Sequence, residues 1–267
     1  MVDIALNTNE RLSVPLVAPA LLSSFESFKA NFSLHGEALY ATVFDRHKSV
    51  IQTQKLKVAV ANLEKILEAT FSVSATSGFD RMSLRDLSGK TGMSMGAIYS
   101  CISKKEDIAL MIADIVRLSS QLTRYHAEQS GSIWEKIERN IRFHLYASTL
   151  LQPWYFFMYF ETRCLPEQQQ QASKKIELDA IASFEQQIQA GVKAGVFETS
   201  NPHMVANTIV ILLEDWYLKP WKIQEKNNKK NIKQAKSKKQ QSLRLEQTIN
   251  AYNQSVIELV IKLLKVS

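Results

Sequence analysis

Helix breakers are scarce in this sequence. Its 267 residues hold only 8 glycines and 6 prolines, and between them apolar residues recur three and four apart. That scarcity argues against a fold rich in tight turns and points to an all-α protein. Cysteine is just as sparse. Cys101 and Cys164 stand far apart and form no CxxC pair, which argues against a disulfide framework and suits a reducing cytoplasm. Long hydrophobic runs are missing too. The longest, residues 205–213, is too short to cross a bilayer and carries Asn207 and Thr208, so no membrane role is expected. Residues 14–22 (VPLVAPALL) have the apolarity of a signal-peptide core, but Asp3 and Glu10 precede them with Arg11 as the single basic residue, and they are not read as one. No nucleophile elbow, phosphate loop or catalytic carboxylate pair is found. His126 and His144 have no second ligand at i+4, so neither suggests a metal. The chain is therefore not read as an enzyme, and no cofactor is implied.

Positive charge is present, but unevenly. The net charge is +7, yet residues 222–245 alone hold nine basic side chains against Glu225. Without that lysine-rich run the chain is nearly neutral, so the overall basicity says little about nucleic acid. The rest is more telling. Residues 55–126 carry an excess of three positive charges and residues 127–221 an excess of three negative ones, the polarity a chain needs if one end faces DNA.

Spacing divides the chain further. Residues 1–54 form an extension in which Phe25, Phe28, Phe32 and Leu34, then Leu39, Tyr40, Val43 and Phe44, predict two short amphipathic helices around His35-Gly36. From Lys55 a helix with Leu63, Ile66, Leu67 and Phe71 inward runs to Gly78. A short helix over 84–90, a turn at Gly92, a second short helix from Ser94 to Ile102 and a longer one capped by Ser103 with Glu106 follow. Beyond Gly131 the helices lengthen: 132–151, an aromatic one from Pro153, a long one from Pro166 to Gly195, one from Pro202 to about Leu218, and a last one over 245–266.

The informative stretch is LRDLSGKTGMSMGAIYSCIS, residues 84–103. A helix-turn-helix needs apolar anchors a turn apart, as Leu84 and Leu87 are. It needs a small residue where its helices cross (Ser88) and one that tolerates positive φ in the turn (Gly92). Its second helix must be pinned by inward residues, here Met93, Ile98 and Cys101 or Ile102, so that the opposite face can enter a major groove. Gly78-Phe79, Ser83-Leu84-Arg85-Asp86-Leu87-Ser88, Gly92 to Ile102 and Lys105-Glu106 together resemble the reading head of the TetR/AcrR family over about 50 residues with the spacing intact. The resemblance implies a one-component regulator that binds double-stranded DNA at an inverted-repeat operator as a homodimer. Ser83, Ser94, Tyr99 and Lys104 or Lys105 would contact phosphates, and Arg85, Met95, Ala97 and Ser100 would complete the DNA-facing set. Met95, Ala97, Cys101 and Ile102 depart from the family's lysine, threonine, histidine and phenylalanine. Met95 and Ala97 offer a base only apolar contact, so the alternative is a helical interaction protein that has lost specific DNA reading.

The resemblance continues through FFMYFETRCLP (156–166) and GVKAGVF (191–197) into a body that would sense a small effector. Asp215-Trp216-Tyr217 and Lys219-Pro220-Trp221 resemble a subset of the family, some of which answer to acyl-thioesters or lipids. Phe143, Trp154, Phe157, Met158, Phe160 and Trp216, with Glu161 and Arg163 as polar handles, are the expected wall of a pocket for a small apolar effector. The same aromatics equally suit plain core packing. Residues 154–160 are apolar all round, which predicts a helix buried on every side. The expected domains are 1–54 (extension), 55–115 (DNA-binding) and 116–267 (sensing and dimerisation, with 222–245 as a lysine-rich insertion). A cytoplasmic repressor released by its effector is the functional expectation.

Overall fold

The computed structural model describes residues 2–5, 11–14, 19–221 and 238–265. The chain opens on a two-stranded antiparallel ribbon, β1 (Val2–Ala5) and β2 (Arg11–Val14), with Val2 opposite Val14. The remaining described elements are helical, and the all-α class holds. The sequence reading assigned no strands to this extension.

Helices α1 (Phe25–Asn31) and α2 (Gly36–Arg46) are the two anticipated around His35-Gly36. Ser24 caps α1 by accepting from Ser27 N–H. The extension is not a free-standing appendage. From α1, Phe28 meets Phe143 at 5.0 Å and Tyr146 at 5.4 Å, and Phe25 N–H donates to Glu246. From α2, Arg46 grips Asp114 with two of its guanidinium nitrogens, Nε at 2.5 Å and Nη2 at 2.9 Å. Arg117 and His47 also reach that carboxylate, and despite the cost of burial they hold its pKa far below the usual range.

Four helices follow: α3 (Leu56–Ser77), α4 (Leu84–Thr91), α5 (Met95–Tyr99) and α6 (Lys105–Ala127). The body adds α7 (Ile133–Leu150), α8 (Gln152–Glu161), α9 (Glu167–Lys193), α10 (Pro202–Leu218) and α11 (Lys238–Leu264). Buried Leu63, Ile66 and Leu67 of α3, Ile112 and Ile115 of α6, and Ile137 and Ile141 of α7 belong to one continuous apolar core. Two local expectations change. The cap of α6 is Asp107, whose carboxylate accepts from both Ser103 and Lys104 N–H at 2.9 Å, not the Ser103–Glu106 pair. And α5 spans five residues rather than nine, because the chain turns off after Tyr99 to bury Cys101 and Ile102. At the end of α9, a side chain on Gly191 would strike the Phe197 ring, so the glycine is what lets Phe197 fold back and seal the helix.

Of the lysine-rich run, residues 222–237 lie outside the described residues, while 238–245 form the first turns of α11. No helix among the described residues is long and apolar enough to cross a membrane.

Candidate nucleic-acid interface and effector cavity

The reading head is built by short-range hydrogen bonds. Ser83 and Asp86 cap α4 reciprocally: Asp86 N–H donates to Ser83 Oγ at 3.2 Å, and Ser83 N–H and Oγ both donate to the Asp86 carboxylate. Those bonds, the hydroxyl's first, hold the Asp86 carboxyl below its ordinary pKa. Gly92 ends α4 at φ +69°, where a Cβ is strained. Ser88 Oγ donates to Met93 O across the turn, and Thr91 Oγ1 donates to Leu87 O and accepts from Met93 N–H. Beneath the head Leu87, Ile98, Cys101 and Ile102 are fully buried, with Leu84 and Met93 packed on them. Those anchors fix which face of α5 is outward.

The nine expected DNA-facing residues then divide. Arg85, Ser94, Tyr99 and Lys104 are exposed, Tyr99 at 46%, and Met95 and Ala97 are half-exposed beside them. Ser94 accepts Ala97 N–H but keeps its own hydroxyl proton. The other three are engaged inside the protein. The Ser83 proton goes to Asp86. Ser100 Oγ donates to Ala97 O and accepts from Thr53 Oγ1 at 2.9 Å, while Ser100 O accepts from Gln52 and Thr53 N–H. Lys105 Nζ donates to Phe79 O and Asp80 O and sits 5.1 Å above the Phe79 ring. Thr53, which the sequence pattern did not single out, thus clamps the end of α5.

The expected pocket wall also divides, and α8 is where it does so. Trp154, Phe157 and Glu161 lie on one face of α8 and serve as a joint to the head. Trp154 packs on Phe71 and Phe157 on Phe71 and Phe79. Glu161 Oε2 accepts Phe79 N–H at 3.0 Å. Tyr155, Met158 and Tyr159, displaced round the helix from that face, line a cavity of about 290 Å³ between α6, α7, α8, α9 and α10. Of the eight expected residues only Met158 and Arg163 border it. Phe143 stacks between His126 and the α1 phenylalanines. Trp216 donates to Thr149 and packs on Tyr252. Phe160 is exposed, as is Tyr159, so α8 is not buried all round; its C-terminal end reaches the surface.

The residues the sequence reading missed are polar. His144, Tyr217, Glu177 and Glu214 border the cavity. Tyr155 donates to Ser119 at 3.0 Å. Burial, followed by the charge of Glu177, pushes Glu214 up to about 7, and burial takes His144 down to about 4. A signal existed for Glu214: it is a carboxylate inside the apolar run ILLEDWYL.

Comparison with known proteins agrees with this layout. Residues 130–218 match the family model described as the tetracyclin repressor-like C-terminal domain. No curated protein sequence matches the chain. Among solved structures, a tetR-family regulatory protein from Rhodococcus RHA1 superposes at a TM-score of 0.58 with 16% identity, covering 77% of this chain and 98% of its own. PfmR, a TetR-family transcriptional regulator from Thermus thermophilus, gives 0.53 with 17% identity over 72% and 97%. FadR from Bacillus subtilis, solved in complex with stearoyl-CoA, gives 0.51 with 16% identity over 75% and 98%. Those likenesses establish a TetR-like fold, and residues 130–218 carry the sequence pattern of the tetracyclin repressor-like C-terminal domain.

Proposed function

We propose that the chain is a homodimeric, non-enzymatic repressor of the cytoplasm that grips an inverted-repeat DNA site through α5 and lets go when a small effector enters the cavity beside α8. The observation that carries this reading is the division of α8. One face borders the cavity while another, through Phe157 and Glu161, holds Phe79 at the junction of α3 and α4. A helix committed to both sites cannot shift for one without moving the other, which is the physical requirement for coupling. The domains follow the same logic: residues 1–54 brace, 55–115 read and 116–267 sense and dimerise. Exposed Met204 and Ile211 on α10, at 54% and 55%, and Leu259 and Leu263 on α11 support those two helices as the self-association surface. FadR is described with stearoyl-CoA; the volume of this chain's cavity supports a more compact effector than a long acyl thioester.

Anisotropy titration with duplex DNA from upstream of the chain's own coding sequence tests the reading. Saturable binding that competitor DNA of random sequence does not displace is expected, and Tyr99→Ala should weaken it about tenfold. Sedimentation should give a dimer that Ile211→Glu converts to a monomer. A second reading, DNA affinity without sequence discrimination, is favoured by Met95 and Ala97 on the outward face of so short a helix. Equal affinity for random and upstream DNA would select it.

A further inference from the structure

We infer that the cavity between α8, α9 and α10 receives a compact organic cation, an aromatic or branched quaternary or protonated amine, with its positive charge beside Glu214 and against the ring faces of Tyr155 and Tyr217. The inference rests on the sensor reading of that cavity and names its ligand class.

The wall is an aromatic corner. Tyr155 and Tyr217 lie 5.1 Å apart, and His144 lies 5.8 Å from the first and 6.4 Å from the second. Ring faces attract a cation, more strongly when it is stripped of water. The charges on the wall have no partners of their own. Glu214 is half-buried, and among the described residues it forms neither a hydrogen bond nor an ion pair; Glu177 likewise has none. Asp215, the next residue, pairs with Lys219 at 2.9 Å, so α10 does supply a cation to a carboxylate where one is wanted. A half-buried carboxylate without a partner is costly, and burial with the neighbouring Glu177 accordingly favours its neutral form. An arriving cation would relieve that cost; an arriving anion would raise it. Arg163 and Lys174 also border the cavity, but both are exposed and screened by water, as is Glu177, so the half-buried Glu214 is the charge that counts. His144 Nε2 has no hydrogen-bond partner and, with its ring held neutral, adds no repelling charge.

Calorimetry on the full-length protein, without DNA, tests the assignment. The probes are benzyltrimethylammonium, its uncharged isostere neopentylbenzene, and phenylacetate, with tetraethylammonium and protonated phenethylamine widening the cation set. At least one cation should bind, roughly tenfold or more tighter than the isostere. Phenylacetate should not compete. Glu214→Gln should weaken the cation about tenfold while leaving the unliganded melting temperature equal or higher, since it removes an uncompensated charge. Tyr217→Leu, folded by circular dichroism, should weaken it several-fold. The inference fails if no cation binds, if the isostere or phenylacetate binds as tightly, or if Glu214→Gln leaves cation affinity unchanged. Its failure is separable from that of the regulator reading. Cations that bind but do not release DNA would sink only the sensing role, whereas DNA released by other compounds, with no cation bound, would sink only the ligand class.

Discussion

The reading head and the cavity handle their polar groups in opposite ways. In the head, Ser83, Ser88, Thr91, Ser100 and Lys105 are consumed in holding the short helices together. A five-residue helix has too few turns to hold its own shape, so its neighbours lend hydrogen bonds and only the outermost side chains stay free. In the cavity, long helices hold themselves, and Glu214, Glu177 and His144 Nε2 are left without partners among the described residues. The lesson is that a polar residue's address does not reveal its task; whether its hydrogen-bonding capacity is already used does.

That contrast can be broken at several strengths. The largest effect should come from the joint between the two regions. Phe157 is 2% exposed between Phe71 and Phe79, and Phe157→Ala should cost about 3–5 kcal/mol in urea unfolding. A cost below about 1 kcal/mol would mean that α8 is not the strut described. Next comes the free set on the head. Arg85→Ala with Tyr99→Ala should lower DNA affinity by about a hundredfold, and the Arg85 change should reduce the salt slope by roughly one unit, with stability within about 0.5 kcal/mol of the parent. The engaged set should behave the other way. Thr53→Val removes a hydroxyl bond to Ser100 and should cost about 1 kcal/mol of stability, with DNA affinity falling only through loosening of α5. A loss of affinity matching that of Tyr99→Ala would place Thr53 on the DNA instead.

The smallest effects are pH slopes of opposite sign. His126 is held down to about 4 by burial and then by Arg139, and His144 to about 4 by burial. Unfolded, both return to 6.5, so the unfolded chain takes up protons first and stability falls as pH drops from 6.5 toward 4. Glu214 works in reverse. Raised from 4.5 to about 7, its neutral form favours the folded state at low pH, and that stability is lost as pH climbs through 7. Melting temperature against pH should lose part of its acid limb in His126→Phe and its alkaline decline in Glu214→Gln. Unchanged curves would show these groups to be hydrated in the folded protein.

Much of the head was legible in the residues. Gly92 marks a positive-φ turn, Leu87, Ile98 and Ile102 mark the buried side, and Ser83 marks a helix start, all through interactions within a few positions of one another. The N-terminal helices were legible through the spacing of Phe25, Phe28 and Phe32, though not their docking onto Phe143 and Asp114, which lie far along the chain. The cavity was mostly illegible. The aromatic run of α8 announces burial, but periodicity cannot say which neighbour each ring meets: Trp154, Phe157 and Glu161, expected as pocket wall, also contact Phe71 and Phe79 of the head.

Sequence alone therefore settled the helical class, the order of the helices and the pins that orient α5, because each depends on short-range spacing and backbone conformation. Only the folded arrangement decided that Ser100 and Lys105 are engaged within the protein and that Glu214 is left without a partner among the described residues. Those outcomes depend on side chains from distant segments meeting, or failing to meet, in three dimensions.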